Sequence, residues 1–263
     1  MDFGLKGKIA VVSGSTAGIG LAIATALAAE GAKVIVNGRT EARVNSALEK
    51  IYENHKTAAL QGVAADLGTA TGVASFVKQV PHADVLINNL GIFDPKPFAE
   101  ISDADWLRFF EINVLSGVRL SRHYLPGMLK SNWGRIIFIS SESAFQIPAE
   151  MIHYGMTKIA QVGVARGLAE SVAGTGVTVN SVLPGPTASE GAVVFLDTLA
   201  KKNGLSLAEM EKEFFKSARP TSLLKRFETP EEIAAVVTFV ASVQSAAISG
   251  ATVRAEGGVI RSI

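Results

Sequence analysis

Tyr154 and Lys158 stand four residues apart in Tyr154-Gly155-Met156-Thr157-Lys158, so on a helix a phenol and an ammonium project from one face. A phenol ordinarily titrates at about pH 10. A neighbouring cation stabilises its anion and brings it toward neutrality, which makes it a usable proton donor or acceptor. Any amphipathic helix can carry such a pair by chance, and what gives this one weight is its company. Ser141 precedes Tyr154 by thirteen residues and follows the apolar run Arg135–Ser140. Asn88-Asn89-Leu90-Gly91 and Pro184-Gly185-Pro186-Thr187 sit at the ends of two further apolar runs, and Asn113 lies inside a long periodic stretch. These are parts for proton transfer. They are not parts for metal binding, since His55, His82, His123 and His153 show no ligand spacing with carboxylates. His153 points about 100° away from Tyr154 on a helix and reads as a pocket-rim or partly exposed residue.

A second constellation suits a phosphate. Gly14-Ser15-Thr16-Ala17-Gly18-Ile19-Gly20 joins an apolar run to an alanine-rich periodic one. Glycines there let the backbone turn sharply and approach a pyrophosphate, which then meets free N–H groups at a helix N-terminus. The spacing is G-x-x-x-G-x-G, not the standard G-x-G-x-x-G, so the strand before it and the helix after it carry the argument. The next strand ends Val36-Asn37-Gly38-Arg39-Thr40, with no acid for ribose hydroxyls and a cation suited to a 2′-phosphate. Arg39 therefore favours NADP(H) over NAD(H), against the plainer reading of a surface arginine paired with Glu41 or Glu49. Asp66-Leu67 follows the third strand, where Asp66 could meet an adenine amino group. Helix capping by Asp66 or by Thr69 is the competing reading.

The elements that must position these groups alternate. Strands are expected at Ile9–Ser13, Lys33–Asn37, Ala58–Val63, Val85–Asn88, Arg135–Ser140 and Val177–Leu183, with a last short one near Ala251–Val253. Helices are expected at Gly18–Glu30, Glu41–Glu53, Thr69–Val80, Asp103–Lys130 and Ile152–Ala173, the fourth N-capped by Ser102 with Asp103 and Asp105 in its first turn. Repeated βα units of this size imply an α/β doubly wound parallel β-sheet of Rossmann-like form, with helices on both faces and ligands outside the strands' carboxyl ends. From 187 to 227 the rhythm breaks into two short helices, around Gly191–Lys201 and Ser206–Ser217. This insertion is a mobile substrate cover or a packed subdomain. Phe195, Leu196, Met210, Phe214 and Phe215 read as its apolar inner face. Thr229-Pro230-Glu231-Glu232 opens the next helix with a cap and an N1 proline. No repeat or linker interrupts the chain, so 1–263 is expected to form one domain.

Composition narrows the partners. Lys+Arg 25 against Asp+Glu 24 leaves +1, with no overall pull toward nucleic acid or an anionic membrane. The absence of cysteine removes disulfides, thiolate metal sites and thiol nucleophiles. The uncharged stretches 9–29 and 234–253 imitate membrane segments, but Ser13-Gly14-Ser15-Thr16 breaks the first, and Ser242, Gln244, Ser245 and Ser249-Gly250 break the second. A cytoplasmic location is the expectation.

Taken together these motifs resemble the short-chain dehydrogenase/reductase family in its compact form, over essentially the whole chain from Gly7-Lys8 to Glu256-Gly257-Gly258. The resemblance implies that Gly14, Gly18 and Gly20 form the cofactor turn together with Ser15, Thr16 and Ile19. Arg39, Asp66, Leu67, Asn88, Gly91, Pro184, Gly185 and Thr187 would complete the cofactor site. Ser141 would polarise the substrate carbonyl, and Tyr154 would be the acid or base. Lys158 would bind the nicotinamide ribose and lower the Tyr154 pKa, and Asn113 would hold a water in a proton relay. A homotetramer is implied, with the helices at 103–130 and 152–173 forming one interface.

Three departures stand out. Leu90 replaces the usual alanine, Glu256 the frequent aspartate, and Ser143 competes by position with Ser141. Glu142 reads equally as a pocket acid or a solvated loop acid, and Trp133 as a turn or interface aromatic. The expected activity is an NADP(H)-dependent oxidoreductase acting on a carbonyl or secondary alcohol, with 3-oxoacyl thioester reduction as an alternative within the class. A non-catalytic NADP(H) sensor is the alternative outside it, disfavoured by the intact Ser141, Tyr154 and Lys158. A serine hydrolase lacks its G-x-S-x-G elbow.

Overall fold

The computed structural model describes residues 2–263. Its strands are β1 (Ile9–Val12), β2 (Lys33–Gly38), β3 (Leu60–Ala64), β4 (Val85–Asn88), β5 (Gly134–Ile139), β6 (Val177–Pro184) and β7 (Thr252–Ala255). They pair in parallel in the order β3-β2-β1-β4-β5-β6-β7. The helices are α1 (Gly18–Ala29), α2 (Glu41–Asn54), α3 (Ala70–Gln79), α4 (Asp103–Phe110), α5 (Ser116–Ser131), α6 (Ile152–Ser171), α7 (Glu190–Asn203), α8 (Leu207–Ser217) and α9 (Pro230–Ala241). The chain winds outward through β2 and β3, then restarts at β4 on the other side of β1. That reversal opens a crevice beyond the carboxyl ends of β1 and β4.

The continuous apolar strands follow from burial on both faces. On one face Val12, Val36, Ile137 and Val182 meet Ile23 and Leu27 of α1 and Val237 and Val240 of α9. On the other, Val11, Ile35, Leu86 and Phe138 meet Phe76 of α3, Leu120 and Tyr124 of α5 and Ala165 of α6. Adjacent residues Val11 and Val12 thus serve opposite cores, as the two-residue period of a strand requires. This is the doubly wound, Rossmann-like sheet that the residue pattern implies.

The helix starts also follow their local chemistry. Ser102 and Asp105 form a capping box on α4, and Thr229 and Glu232 do the same on α9 with Pro230 at its first position. Among the departures from the expected boundaries, two have a visible cause. Strand β3 begins two residues late, because the Ala58 amide still closes a turn onto the His55 carbonyl. The helix expected over 103–130 is interrupted by a π-helical turn, Glu111–Leu115, between α4 and α5. Its cause lies outside the segment. Gln161 Nε2 donates to the Asn113 carbonyl at 2.6 Å, and Asn113's own amide is tied to the loop after β4, so the regular ladder gives way there. Between β6 and α9, helices α7 and α8 close a small core of their own around Leu196, Ala200 and Met210, with Phe214 and Phe227 packed on it.

In the turn from β1 to α1 the tightest approach is at Gly20. A Cβ there would collide with the Gly14 carbonyl oxygen and with Asn89 Nδ2, and would stand 3.1 Å from Ser15 Cα. Gly20→Ala is expected to lower unfolding stability by about 1–3 kcal/mol, as over-packing does in a site with no flexible neighbour. Thermal or urea denaturation measures it, and an unchanged midpoint would mean that the turn is looser than drawn.

Candidate active site

The crevice is built first from backbone. Gly14 and Gly18 both adopt positive φ, +62° and +52°, conformations that admit glycine with little strain. The turn is then locked by buried side chains. Ser13 Oγ accepts the amides of Asn89 at 2.9 Å and Leu90 at 3.0 Å, while Asn89 Nδ2 donates back to the Ser13 and Gly14 carbonyls. Asn37 Oδ1 accepts the Gly14 amide at 3.2 Å, and its Nδ2 reaches the Val63 and Ala65 carbonyls. Asn37 therefore ties β1, β2 and β3 together at the turn. Its functional weight escapes a motif search, although a lone amide closing the apolar run Val34–Val36 is the signal that could have found it.

Several cofactor candidates divide by what their groups already do. Ser15 faces inward, with its hydroxyl donating to Val12 O and accepting from the Asn37 amide and its own amide bound to Asn37 O. It braces the turn and presents no free polar group of its side chain. Thr16 packs its methyl over Gly38, while Ile19 lines the pocket. Helix α1 begins after Ala17, which supplies no side-chain cap, so its leading amides are left for another acceptor. Arg39 is exposed at the end of β2 and, among the described residues, forms no ion pair; the pairing with Glu41 or Glu49 is not seen. Thr69 is the cap of α3, whereas Asp66 Oδ1 accepts the Gly68 amide and turns the chain. Leu67 is a core residue, 1% exposed. Gly185 donates its amide to Ala255 O, and the Thr187 hydroxyl closes onto Gly185 O.

Beyond the turn, a cavity of about 260 Å³ opens at the same sheet edge and is lined by Ser141, Tyr154 and Lys158 together with Gly91, Pro184 and Thr187. Helix α6 brings Tyr154 and Lys158 to it on one face. Lys158 Nζ lies 5.4 Å from the Tyr154 ring centre and donates to Ile139 O at 3.0 Å, while Ser140 Oγ anchors the Lys158 carbonyl at 2.8 Å. Asn113 reaches the same edge through the π turn. Its Oδ1 accepts the Ile92 amide, and its Nδ2 donates to Ile92 O and to Thr157 Oγ1, one turn below Tyr154. Asn88 is 3% exposed and donates to Ser121, but its Oδ1 has no partner among the described residues. Both competing serines line the cavity beside Tyr154, and Ser143 turns its amide toward Ser141 Oγ at 3.1 Å.

The electrostatics differ from the expectation drawn from the Tyr-Lys pair. Desolvation first, and the Glu142 carboxylate second, hold the Tyr154 phenol above its ordinary value; the Ser141 hydrogen bond and the Arg219 cation oppose them. Burial pushes Lys158 itself down to about 8, with Glu142 acting the other way. Glu142 is the residue that the sequence left undecided. It is 4% exposed, and Arg219, from the segment after α8, donates to it at 2.8 Å. Glu142 also accepts the Ser141 hydroxyl and, at 2.9 Å, the Ser143 amide. His153 is a second correction. It is 1% exposed, wedged with ring centres 4.0 Å from Phe109 and 5.9 Å from Trp106, because α4 covers the flank of α6 where a rim was expected. Trp133 lies between Lys8 and Arg135, stacked by both cations. Glu256 accepts the Val259 and Ile260 amides and so serves the C-terminal turn.

Comparison with known proteins agrees with this architecture. A family model described as short chain dehydrogenase matches residues 8–198. The chain is 48% identical over 263 residues to the uncharacterized oxidoreductase YvaG of Bacillus subtilis, covering all of both chains. It is 32% identical to the 3-oxoacyl-[acyl-carrier-protein] reductase FabG of Aquifex aeolicus, over 98% of this chain and all of that one. Among solved structures, L-sorbose reductase from Gluconobacter frateurii, complexed with NADPH and L-sorbose, superposes with a TM-score of 0.94 at 31% identity over the whole of both chains. No helix is long and apolar enough to cross a membrane among the described residues. Sheet order, glycine turn and the convergence of Ser141, Tyr154 and Lys158 therefore have one shared explanation, which is that the chain belongs to the short-chain dehydrogenase/reductase family of oxidoreductases.

Proposed function

We propose that the chain is an NADP(H)-dependent carbonyl reductase, acting reversibly as a dehydrogenase of the corresponding secondary alcohol. The single observation that carries this reading is the meeting of Ser141, Tyr154 and Lys158 in one cavity beside the glycine turn. The donor set fits a dinucleotide. The uncapped amides of α1 suit a pyrophosphate, the exposed Arg39 suits a 2′-phosphate, and the unpartnered Asn88 Oδ1 offers an acceptor at the centre of the edge. The L-sorbose reductase and actinorhodin ketoreductase structures were both determined with NADPH, which supports the same choice.

When bound, the reduced dinucleotide supplies a hydride, two electrons with one proton, to the carbonyl carbon. Tyr154 gives its phenolic proton to the carbonyl oxygen, so that C=O becomes CH–OH and a phenolate is left. Ser141 orients the carbonyl toward that proton. Lys158, fixed by Ile139 O, stands where it stabilises the phenolate as it forms. Asn113 holds the loop after β4 against α6, and its carbonyl, taken on one side by Gln161, keeps a second lone pair for a relay water. Segment 187–227 is the substrate cover, contributing Leu196, Phe214 and Arg219 to the cavity wall. The wider reading is of a homotetramer in the cytoplasm, with Leu107 of α4 and Ile159 of α6, exposed in the single chain, facing other subunits.

Turnover of a carbonyl panel with NADPH, followed at the nicotinamide absorbance, tests the reading. Tyr154→Phe is expected to lower kcat by about 10²- to 10⁴-fold while NADPH affinity stays within a few-fold. Near-normal turnover in that variant removes Tyr154 from the chemistry. Arg39→Ala is expected to weaken NADPH by roughly 10- to 100-fold, the worth of a charge-assisted contact, and NADH by less than about threefold. Equal losses for both cofactors would leave the 2′-phosphate assignment without support. A third expectation concerns pH. Glu142 holds the phenol up, so Glu142→Gln removes a negative charge and lets Tyr154 ionise at lower pH. In alcohol oxidation, where the phenolate is the base, the rising limb of the kcat profile should move toward acid; a limb that stays put would show that another group governs it.

A further inference from the structure

A serine hydroxyl carries one hydrogen, and in this site Ser141 gives its hydrogen to Glu142. The same Oγ already accepts the Ser143 amide. Ser141 therefore cannot also donate to a substrate carbonyl while Glu142 holds it. Glu142 is not free to withdraw, since Arg219 Nε grips Oε1 at 2.8 Å and the Ser143 amide grips Oε2 at 2.9 Å. The guanidinium is steadied in turn by Glu150 at 3.7 Å and by the Ala218 carbonyl at 2.9 Å. What can change is the donor that Oε2 receives. A substrate group that supplies a hydrogen to Glu142 releases the Ser141 hydrogen for the carbonyl. Hydrogen-bond lengths place the reacting oxygen about 2.8 Å from Ser141 Oγ. A donor that must reach the acceptor directly beside that Oγ sits on the carbon next to the carbonyl. The cavity wall also offers Phe93, Leu196 and Phe214, which hold a small carbon skeleton.

We propose that Glu142 is a specificity residue that accepts a hydroxyl borne on the carbon adjacent to the reacting carbonyl, making α-hydroxy ketones, and the vicinal diols they become, the substrate class of this enzyme. The inference rests on the reductase reading above and names its substrate. Arg219 is the positioning residue, keeping the carboxylate at the wall. A plain ketone enters the same cavity but leaves Ser141 turned toward Glu142, so it is held by Tyr154 alone. A carboxylate on the adjacent carbon, as in a 2-oxo acid, meets Glu142 as a like charge and is rejected.

The test uses matched pairs, hydroxyacetone against acetone and 2-hydroxycyclohexanone against cyclohexanone, with NADPH and the full chain. The wild type is expected to favour the hydroxylated partner by at least tenfold in kcat/KM. In Glu142→Val combined with Arg219→Met, which strands no buried charge because Glu150 is exposed, that ratio should fall at least fivefold, and the plain ketone should be turned over faster because Ser141 is released. A site that had merely been damaged would lose both substrates together. Glu142→Gln, which keeps the volume, is the second variant and should lower the ratio in the same direction. Comparing ratios between proteins cancels the intrinsic reactivity of the two ketones. A wild-type ratio near one, or a ratio retained in either variant that melts cooperatively and binds NADPH, overturns the inference while leaving the reductase reading intact. Failure of the wild type to reduce any ketone while binding NADPH removes the reductase reading, and this inference with it.

Discussion

The site hangs on the side-chain amide of Asn113. Its two N–H hydrogens go to Ile92 O and Thr157 Oγ1, and its oxygen takes the Ile92 amide, all within a residue that is 1% exposed. One side chain thus joins the loop after β4 to the first turns of α6, the helix that carries Tyr154 and Lys158. An apolar residue in its place would leave the Ile92 amide and carbonyl without their partner, each a desolvation cost of about 1–3 kcal/mol. The π turn follows from this constraint. The helix between α4 and α5 yields its regular ladder so that the Asn113 amide and carbonyl can both face α6.

Charge is arranged around that frame with equal economy. Three acidic side chains, Glu142, Glu228 and Glu256, are buried in this part of the fold, against the single guanidinium of Arg219. Burial, followed by the influence of Glu142 and Glu256, pushes Glu228 up to about 8, so it is largely protonated at neutral pH. Glu256 is stabilised by the amides of the C-terminal turn, and Glu142 by Arg219, Ser141 and Ser143. Of the three, Glu142 is the one that lines the cavity and touches Ser141. Because Arg219 follows α8, this pair also fastens the segment between β6 and α9 to the loop after β5.

What the sequence made legible was whatever is decided locally or by periodicity. Apolar runs, the glycine turn, Ser102 and Thr229 as caps, and the phenol–ammonium spacing on α6 each depend on residues a few positions apart. The rest was illegible for a definite reason. Glu142 and Arg219 are 77 positions apart, and nothing near either one says that they pair. Asn37 reads as an ordinary strand-end amide until β1, β2 and β3 are side by side. The π turn has no breaker in its own residues, because its cause is Gln161, 48 positions away. His153 was misplaced since the residue pattern does not reveal that Trp106 and Phe109 of α4 cover that side of α6.

Burial, together with Glu142 of that distant pair, reverses the simplest account of the phenol. From Tyr154 and Lys158 alone, the cation should make the tyrosine acidic. In the assembled site, desolvation first and the Glu142 carboxylate second hold the phenol up, and it stays protonated through neutral pH. A protonated phenol is a proton donor, which is the form that carbonyl reduction requires at its start. Lys158, brought down to about 8 by burial, is still mainly cationic at neutral pH and is held beside the phenol by Ile139 O. In the proposed reduction its charge would matter most as the phenolate appears, not before. An arrangement that stabilises the product of proton transfer while leaving the resting donor intact lowers the barrier more than one that ionises the donor in advance.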